Sequence, residues 1–346
     1  MIIEDIKNYK TQLTDFINSD KFKNILLTNS NASFQSYLDY FMDFVTAGKC
    51  MRGYLVKLGY DIATNFKESS TNEDILIASI CYEIFETAIL AHDDIIDNSP
   101  LRRNRDSMFI ALGKNHLGLS RAICMGDYGI MLSSYLLQYT SFDIETKINA
   151  LKTQSEVYLK TVIGELKDID ISNDRHFFKN DIFDMYYHKT ALYSIIGPLT
   201  FGATLGKANE ELIKNLYNIG KFLGYSYQIK DDYLGIFSDF SNTGKSTTSD
   251  INEGKSTILA STFIEKASTP DKVLFLSSYG KGVNTTTDDI LCVQNLFKKY
   301  DIQKTTETIL EENIKTAYKL INEGNISDLS KKQLTDLASY LFARNK

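Results

Sequence analysis

Apolar residues recur at intervals of three and four along most of this chain, and this spacing restricts the possible folds more than any other feature. The stretches Phe34 to Phe44 and Leu216 to Ile229 show it clearly, and it is the spacing at which one face of an α-helix meets a core. Only three prolines occur in 346 residues. Alternation with a period of two beside hairpin turns, which would indicate strands, is not evident. The sequence therefore predicts an all-α protein.

The helix boundaries follow from where the spacing begins and ends and from turn-forming residues. We expect helices near residues 2–28, 34–47, 50–67, 72–98, 105–114, 118–139, 143–171, 179–205, 209–237, 256–267, 271–280, 287–298 and 303–345. The helix over 179–205 should be interrupted near Pro198, and the last one should be broken near Gly324. Since neither an internal repeat nor a proline- or serine-rich linker appears, residues 1–346 are predicted to form a single domain of ten or more helices.

Composition excludes several classes of function. The chain is 43% hydrophobic and 24% charged with a net charge of −6 and a pI near 5.4, so nucleic acid is not an expected partner. The longest uncharged run, Thr190 to Gly206, contains a proline and three glycines, so we expect no integral membrane segment. The four cysteines are scattered and the N-terminus lacks the apolar core of a signal peptide, which together predict a reducing, cytoplasmic location.

Two acidic motifs each end a predicted helix. The first contains Asp93, Asp94 and Asp97, and the second contains Asp231 and Asp232. Like charges three or four residues apart on a helix repel one another, so we expect something outside the chain to neutralise them. Magnesium suits this role because it binds one or two carboxylates together with phosphate oxygens. For either motif taken alone, a solvent-exposed acidic helix end is an equal alternative.

Basic residues follow both acidic motifs. Arg102 and Arg103 follow the first motif, whereas Lys245 and Lys255 follow the second, in a polar stretch that is predicted to be a long functional loop. Metal ions and cationic side chains together can hold the oxygens of a diphosphate. The repeated pattern predicts a metal-bridged diphosphate site between two acidic helices that face each other across a cavity.

At these motifs the chain resembles the all-trans isoprenyl diphosphate synthases, which are farnesyl synthase-like enzymes. The matching segments are GKCMR (48–52), EIFETAILAHDDIID (83–97), RR (102–103), GD (126–127), GELKD (164–168), YYHKTA (186–191), YQIKDD (227–232) and TGKSTTSDINEGKST (243–257). The resemblance implies the isoprenoid synthase type I fold, with helices around a large central cavity, and a homodimer. It also implies Mg2+ as the cofactor, and isopentenyl diphosphate and an allylic diphosphate as substrates.

The resemblance also assigns roles to individual residues. The metal ligands would be Asp93, Asp94, Asp97 and Asp231, with Asp232 acting through water. The side chains that grip the allylic diphosphate would be Arg102, Lys189 and Lys245. Isopentenyl diphosphate would be bound by Lys49, Arg52 and Arg103, with Arg344 as a weaker candidate, and Lys255 is a further substrate-binding candidate. Thr190 and Gln228 would line the reacting centre.

Four positions depart from the family pattern. Glu86 stands where His or Gln normally contributes to the isopentenyl diphosphate pocket, and an anion there should repel the ligand unless it pairs with Lys49, Arg52 or Arg103. Glu165 replaces a usual Gln, Gly235 removes the third carboxylate of the second acidic motif, and RRNRD replaces RRGxP, which should alter the turn.

These departures keep two alternatives open beside a chain-elongating prenyltransferase. One is a divergent terpene synthase or acceptor prenyltransferase that uses an allylic diphosphate without isopentenyl diphosphate. The other is a non-catalytic subunit of a heteromeric synthase.

Product length is expected to depend on the helix before Asp93. Ile89, Ala88 and Phe85 should line the tunnel that receives the growing chain, because one helical turn of roughly 5.4 Å is similar in length to a five-carbon unit. Small Ala88 leaves room beyond fifteen carbons, and Phe85 one turn deeper should stop growth soon afterwards, so we expect a product of about twenty carbons. Further candidates for the floor of the tunnel are Met125, Tyr128 and Met131.

Overall fold

The computed structural model describes residues 2–28, 31, 33–67, 72–237 and 249–343. Helices dominate these residues, so the all-α prediction is confirmed. Contacts between Cα atoms divide the chain into two compact units. Unit 1 comprises Met1–Ser155, Gly197–Tyr217 and Asn325–Asp336, and unit 2 comprises Glu156–Ile196, Asn218–Gly324 and Leu337–Lys346. The single domain and the large central cavity stay predictions.

The regular elements in chain order are α1 (Ile2–Asn18), α2 (Asp20–Leu27), α3 (Gln35–Ala47), α4 (Met51–Ala63), α5 (Glu73–Ile96), β1 (Leu101–Arg102), β2 (Arg105–Asp106), α6 (Met108–Ala111), α7 (His116–Tyr135), α8 (Ile144–Asn173), α9 (Lys179–Tyr186), a π-helix (Tyr187–Ile196), α10 (Gly197–Leu205), α11 (Glu210–Phe237), α12 (Ser249–Glu253), α13 (Ile258–Lys266), α14 (Thr269–Ser278), α15 (Thr287–Lys299), α16 (Ile302–Glu323) and α17 (Asp328–Ala343). Short 3-10 turns occur at Leu136–Tyr139 and Gly282–Asn284.

Two predicted helices are divided differently in the structure. The helix expected over 2–28 is two helices, because the Ser19 side chain accepts a hydrogen bond from the Phe22 N–H and starts a new helix there. The prediction of a helix over 105–114 was wrong for its first turn. Arg105–Asp106 forms a strand there, and only Met108–Ala111 is α-helical. The predicted break near Gly324 is confirmed.

The strands β1 and β2 pair antiparallel as a two-residue-loop hairpin. The loop residues Arg103 and Asn104 both have positive φ, 56° and 62°, as such tight loops require, and Asn tolerates that conformation. The RRNRD sequence therefore places Arg102 in a strand and Arg103 in the turn, so the two adjacent arginines point to different neighbours.

The core of unit 1 is built around α5. Every residue from Ile75 to Ala88 is buried, and the most apolar 18-residue window of α5 is 83% buried inside the structure. Among the described residues α5 alone is long and apolar enough to cross a membrane, but its burial marks it as a core helix. Helix α4 packs closely on α10, because a Cβ on Gly59 or Gly202 would overlap the main chain of the other helix.

Unit 2 has its own aromatic core. The ring of Phe275 lies 4.7 Å from that of Phe263, 5.8 Å from that of Phe297 and 4.5 Å from that of Tyr279, measured between centroids. The π-helix Tyr187–Ile196 precedes Pro198, whose ring and missing N–H disturb the preceding turns. The interruption predicted near Pro198 is thus confirmed, and it lies in the segment that contains Lys189 and Thr190.

Candidate active site

The first acidic motif lies at the C-terminal end of α5, in unit 1. Asp94 is buried, whereas Asp93 and Asp97 are half-buried, and one carboxylate oxygen of Asp93 lies within 4.8 Å of one of Asp97. Arg102 donates from Nη2 to Asp93 Oδ2 at 2.7 Å and from Nε to Asp94 Oδ1 at 2.7 Å. Arg102 therefore supplies one positive charge to this motif from within the chain, in addition to the metal that the sequence leads us to expect.

The donor set of this motif fits magnesium. Asp93 and Asp97 offer hard carboxylate oxygens on neighbouring turns, which is the ligand type that Mg2+ prefers. They also lie at the C-terminal end of a helix of 24 residues, where the helix dipole favours a cation. Asp94, which is 1% exposed and paired with Arg102, is placed to orient the arginine.

A buried basic cluster lies nearby in the same unit. Arg52, in the first turn of α4, and Arg103, in the hairpin turn, both pair with Glu86 Oε1, at 2.8 Å and 3.0 Å. Glu86 is 3% exposed. Glu86 therefore pairs with two of the cations expected beside it, Arg52 and Arg103. Lys49 is exposed.

The glycine of GKCMR explains how Arg103 reaches this cluster. A Cβ on Gly48 would lie 2.6 Å from Nη1 of Arg103 and 2.7 Å from its Cζ, so a larger residue would displace the guanidinium. Arg103 Nη1 also donates to the Phe44 carbonyl at 3.3 Å. The glycine of this motif therefore leaves open the space that the Arg103 guanidinium occupies.

Glu83, one turn before Glu86, was not identified from the sequence. Its Oε1 accepts a hydrogen bond from the Gly53 N–H at 2.6 Å in the first turn of α4. Burial, followed by the neighbouring charge of Glu86, raises the pKa of Glu83 to about 8, so its carboxyl is protonated at pH 7.

The second acidic motif lies near the end of α11, in unit 2. Asp232 is buried, and both of its oxygens are engaged: Gln228 Nε2 donates to Oδ1 at 2.6 Å, and the Tyr186 hydroxyl donates to Oδ2. The Tyr186 oxygen accepts from the Ile258 N–H at 2.9 Å. Thr190 Oγ1 donates to Gln228 Oε1 at 2.5 Å. The structure thus brings the predicted residues Thr190, Gln228 and Asp232 into one chain of hydrogen bonds.

The two aspartates of this motif lie in different environments. Burial, and then the charge of Asp250, raises the pKa of Asp232 well above its usual range, whereas Asp231 is half-buried. Asp250 lies where the motif lacks its third carboxylate, since a Cβ on Gly235 would lie 2.7 Å from Asp250 Oδ2. Sequence reasoning missed Asp250 and Tyr186, although both stand within the matching segments.

Two predicted lysines are paired with acids. Lys189 Nζ lies 2.7 Å from Asp168 Oδ2 and 3.0 Å from Glu165 Oε2, so the departure at Glu165 gives this lysine a second anionic neighbour. Lys255 is half-buried and pairs with Glu253 at 3.1 Å. The remaining predicted cations, Lys245 and Arg344, lie outside the described residues.

Known proteins are similar to this chain over nearly its whole length. The chain is 28% identical to the geranylgeranyl diphosphate synthase of Saccharolobus solfataricus over 97% of its own length and 93% of the relative. It is 26% identical to the enzyme of the same name from Sulfolobus acidocaldarius, over 88% and 89%. It superposes with a TM-score of 0.87 at 25% identity on the crystal structure of geranylgeranyl pyrophosphate synthase from Corynebacterium glutamicum complexed with isoprenyl diphosphate and magnesium, with coverage of 99% and 98%.

The sequence model of the polyprenyl synthetase family matches residues 32–296. This range contains both acidic motifs, the basic cluster and Lys189. It covers well over half of the chain, and the fold and the family resemblance predicted from the motifs are therefore confirmed. The protein belongs to the polyprenyl synthetase family and is a prenyl diphosphate synthase-type enzyme of the isoprenoid synthase fold.

Proposed function

We propose that this protein is a trans-prenyltransferase that condenses isopentenyl diphosphate head to tail with an allylic diphosphate, giving a product of about twenty carbons. One observation carries the proposal: the consecutive arginines of the hairpin are divided between two sites. Arg102 contacts the acidic motif at Asp93 and Asp94, whereas Arg103 joins Arg52 at Glu86. An enzyme that binds two diphosphates needs two such sites, whereas one that ionises an allylic diphosphate alone needs only the first.

The allylic diphosphate is assigned to the acidic motifs. Asp93, Asp94 and Asp97 of the first motif would hold magnesium, as would Asp231 of the second motif, with Asp232 acting through water. When bound, magnesium supplies positive charge that neutralises the departing diphosphate. The cations that add to this charge are Arg102, Lys189 and Lys245. Isopentenyl diphosphate is assigned to the second site, where the candidate cations are Lys49, Arg52 and Arg103, with Arg344 as a weaker candidate. Lys255, which follows the second acidic motif, is a further substrate-binding candidate.

The reaction then follows from charge neutralisation. The allylic carbon–oxygen bond breaks, diphosphate leaves with the electron pair, and the isopentenyl double bond attacks the allylic cation. A proton is lost to the released diphosphate, and a new double bond forms. Thr190 and Gln228, whose orientation is held through Asp232 and Tyr186, would present fixed dipoles to the cation. Apolar helix faces exclude the water that would otherwise capture it.

Product length, assembly and location belong to the same proposal. The names of the two archaeal relatives, geranylgeranyl diphosphate synthases, support a product of twenty carbons. A row of exposed apolar side chains on α8, Leu159, Ile163 and Leu166, supports a homodimer, because such rows are typical of surfaces that bind another protein. We place the enzyme in the cytoplasm.

A single assay tests the function against its alternatives. Purified protein is incubated with magnesium, radiolabelled isopentenyl diphosphate and dimethylallyl, geranyl or farnesyl diphosphate, and the products are identified. Extended prenyl diphosphates that contain the label support the proposal. Hydrocarbons formed from the allylic substrate alone would support a terpene synthase, which the anionic Glu86 favours, and no product from any substrate would support a non-catalytic subunit.

A further inference from the structure

The helices α5 and α7 approach each other where both have small residues. A Cβ placed on Gly129 of α7 would lie 2.9 Å from the Cβ of Ala88 on α5. The same point lies 2.5 Å from Cζ and 3.1 Å from Cε2 of Phe41, on α3. Phe41 is fully buried. The tip of its ring therefore lies against the two small residues and takes the space that larger side chains on α5 and α7 would fill.

The ring of Phe85 has a different set of neighbours. It lies edge-on to Tyr82 at 5.8 Å between centroids, and Tyr82 in turn lies 5.0 Å from Phe201 on α10. These three rings form a continuous aromatic row. Phe85 therefore packs through Tyr82 towards Phe201 on α10. Phe41 instead lies against Ala88, which is nearer to the acidic motif.

The level of each ring along α5 decides which one a growing chain meets first. Ala88 precedes Asp93 by five residues, which is about 7.5 Å along the helix axis, whereas Phe85 lies about 12 Å away at 1.5 Å per residue. A prenyl chain with its diphosphate at Asp93 that extends along α5 passes the level of Ala88 before that of Phe85. The aromatic side chain at that level comes from α3.

We propose that Phe41 is a specificity-determining residue, and that its ring, placed against Ala88 and Gly129, sets the length at which the product stops growing. The inference rests on the proposed chain-elongating function. It differs from a floor formed by α5 alone, because the side chain that bounds the space left open by Ala88 belongs to another helix.

The test is the product distribution of Phe41→Ala and of the milder Phe41→Leu, measured by mass spectrometry with dimethylallyl and isopentenyl diphosphates. We expect Phe41→Ala to give products longer than those of the wild type by at least one five-carbon unit, and Phe41→Leu to give a smaller shift in the same direction. Phe22→Leu is the matched control, since Phe22 is equally buried and packs on Phe16 at 5.6 Å; its products should be those of the wild type.

A swap of side chains separates the proposed effect on product length from a general loosening of the core around residue 41. The double variant Phe41→Ala, Ala88→Phe returns one ring to the same space from α5 and should restore the wild-type length. An active Phe41→Leu variant with wild-type products would overturn the proposal, as would a folded variant that has lost condensation altogether, because the ring would then serve the chemistry instead. Failure of the proposed function would look different: the wild type itself would form no elongated product.

Discussion

Replacing Glu86 with Gln tests whether the acceptor pocket is limited by its own anion. Glu86 is 3% exposed and shares one oxygen between Arg52 and Arg103. Pairing with the arginines was expected to make this anion harmless, but it only offsets the repulsion of a diphosphate, because the ligand still interacts with the carboxylate as well as with both guanidinium groups. Gln keeps the shape and a carbonyl acceptor but removes the negative charge.

The magnitude follows from Coulomb's law. A diphosphate held on the far side of the arginines would have its nearest unit charge roughly 6 Å from the Glu86 carboxylate, and at an effective dielectric constant of 20 that one pair of charges repels by about 2.8 kcal/mol. Loss of the charge-assisted hydrogen bonds that order the two arginines offsets about 1 kcal/mol of this. A net gain of about 1–2 kcal/mol remains, which corresponds to roughly 5- to 30-fold tighter binding.

The assay is the KM for isopentenyl diphosphate at saturating allylic substrate, together with its dissociation constant from calorimetry. Glu86→Gln should lower both. Glu83→Gln is the matched control: Glu83 is equally buried one turn away, but its pKa of about 8 keeps it protonated at pH 7, so the amide removes little charge and should leave both constants unchanged. An unchanged or higher dissociation constant for Glu86→Gln would refute the electrostatic reasoning.

Three further predictions concern other parts of the site. Because the pKa of Glu83 is about 8 in the folded protein, against an ordinary value of 4.5, the folded state binds the proton more tightly; the free energy of unfolding should fall as pH rises from about 4.5 to 8, by at most about 1.4 kcal/mol per pH unit. Urea denaturation at several pH values measures this. Asp232, whose pKa is also raised, contributes a slope of the same sign, so the prediction is contradicted only if the slope in Glu83→Gln is no smaller than that of the wild type. Tyr186→Phe leaves the Ile258 N–H and one oxygen of Asp232 without the hydroxyl and should lower the free energy of unfolding by about 1–3 kcal/mol; no loss in urea denaturation would show that the hydroxyl is dispensable. Asp97→Asn should raise the magnesium concentration for half-maximal activity at least several-fold, since it weakens one ligand, and an unaltered magnesium titration would remove Asp97 from the metal site.

Local sequence patterns predicted most of the helices because helices depend on neighbours three and four residues away. The break near Gly324 and the interruption near Pro198 followed from the backbone properties of those two residues. The start of a new helix after Ser19 did not, although the serine cap is itself a local signal. The strands of the hairpin are two residues each, too short for any periodic pattern to reveal.

The candidate site, like the fold, could be predicted from the sequence only in part. The types of residue that bind a metal or a diphosphate could be recognised along the chain, but their pairing could not. That Arg102 contacts Asp93 while Arg103 contacts Glu86 depends on the positive φ of the turn and on Gly48. That Phe41 lies against Ala88 depends on the packing of three helices that are distant in sequence. Neither relation leaves a signal at a fixed spacing.

The most direct test of the central claim, that the protein binds two diphosphates at separate sites, is calorimetry with magnesium, isopentenyl diphosphate and dimethylallyl thiodiphosphate, an allylic analogue that ionises very slowly. We predict one site for each ligand. Arg103→Gln should weaken only isopentenyl diphosphate, and Asp93→Asn should weaken only the allylic analogue. Competition between the two ligands for a single site, or loss of both with either variant, would contradict the account.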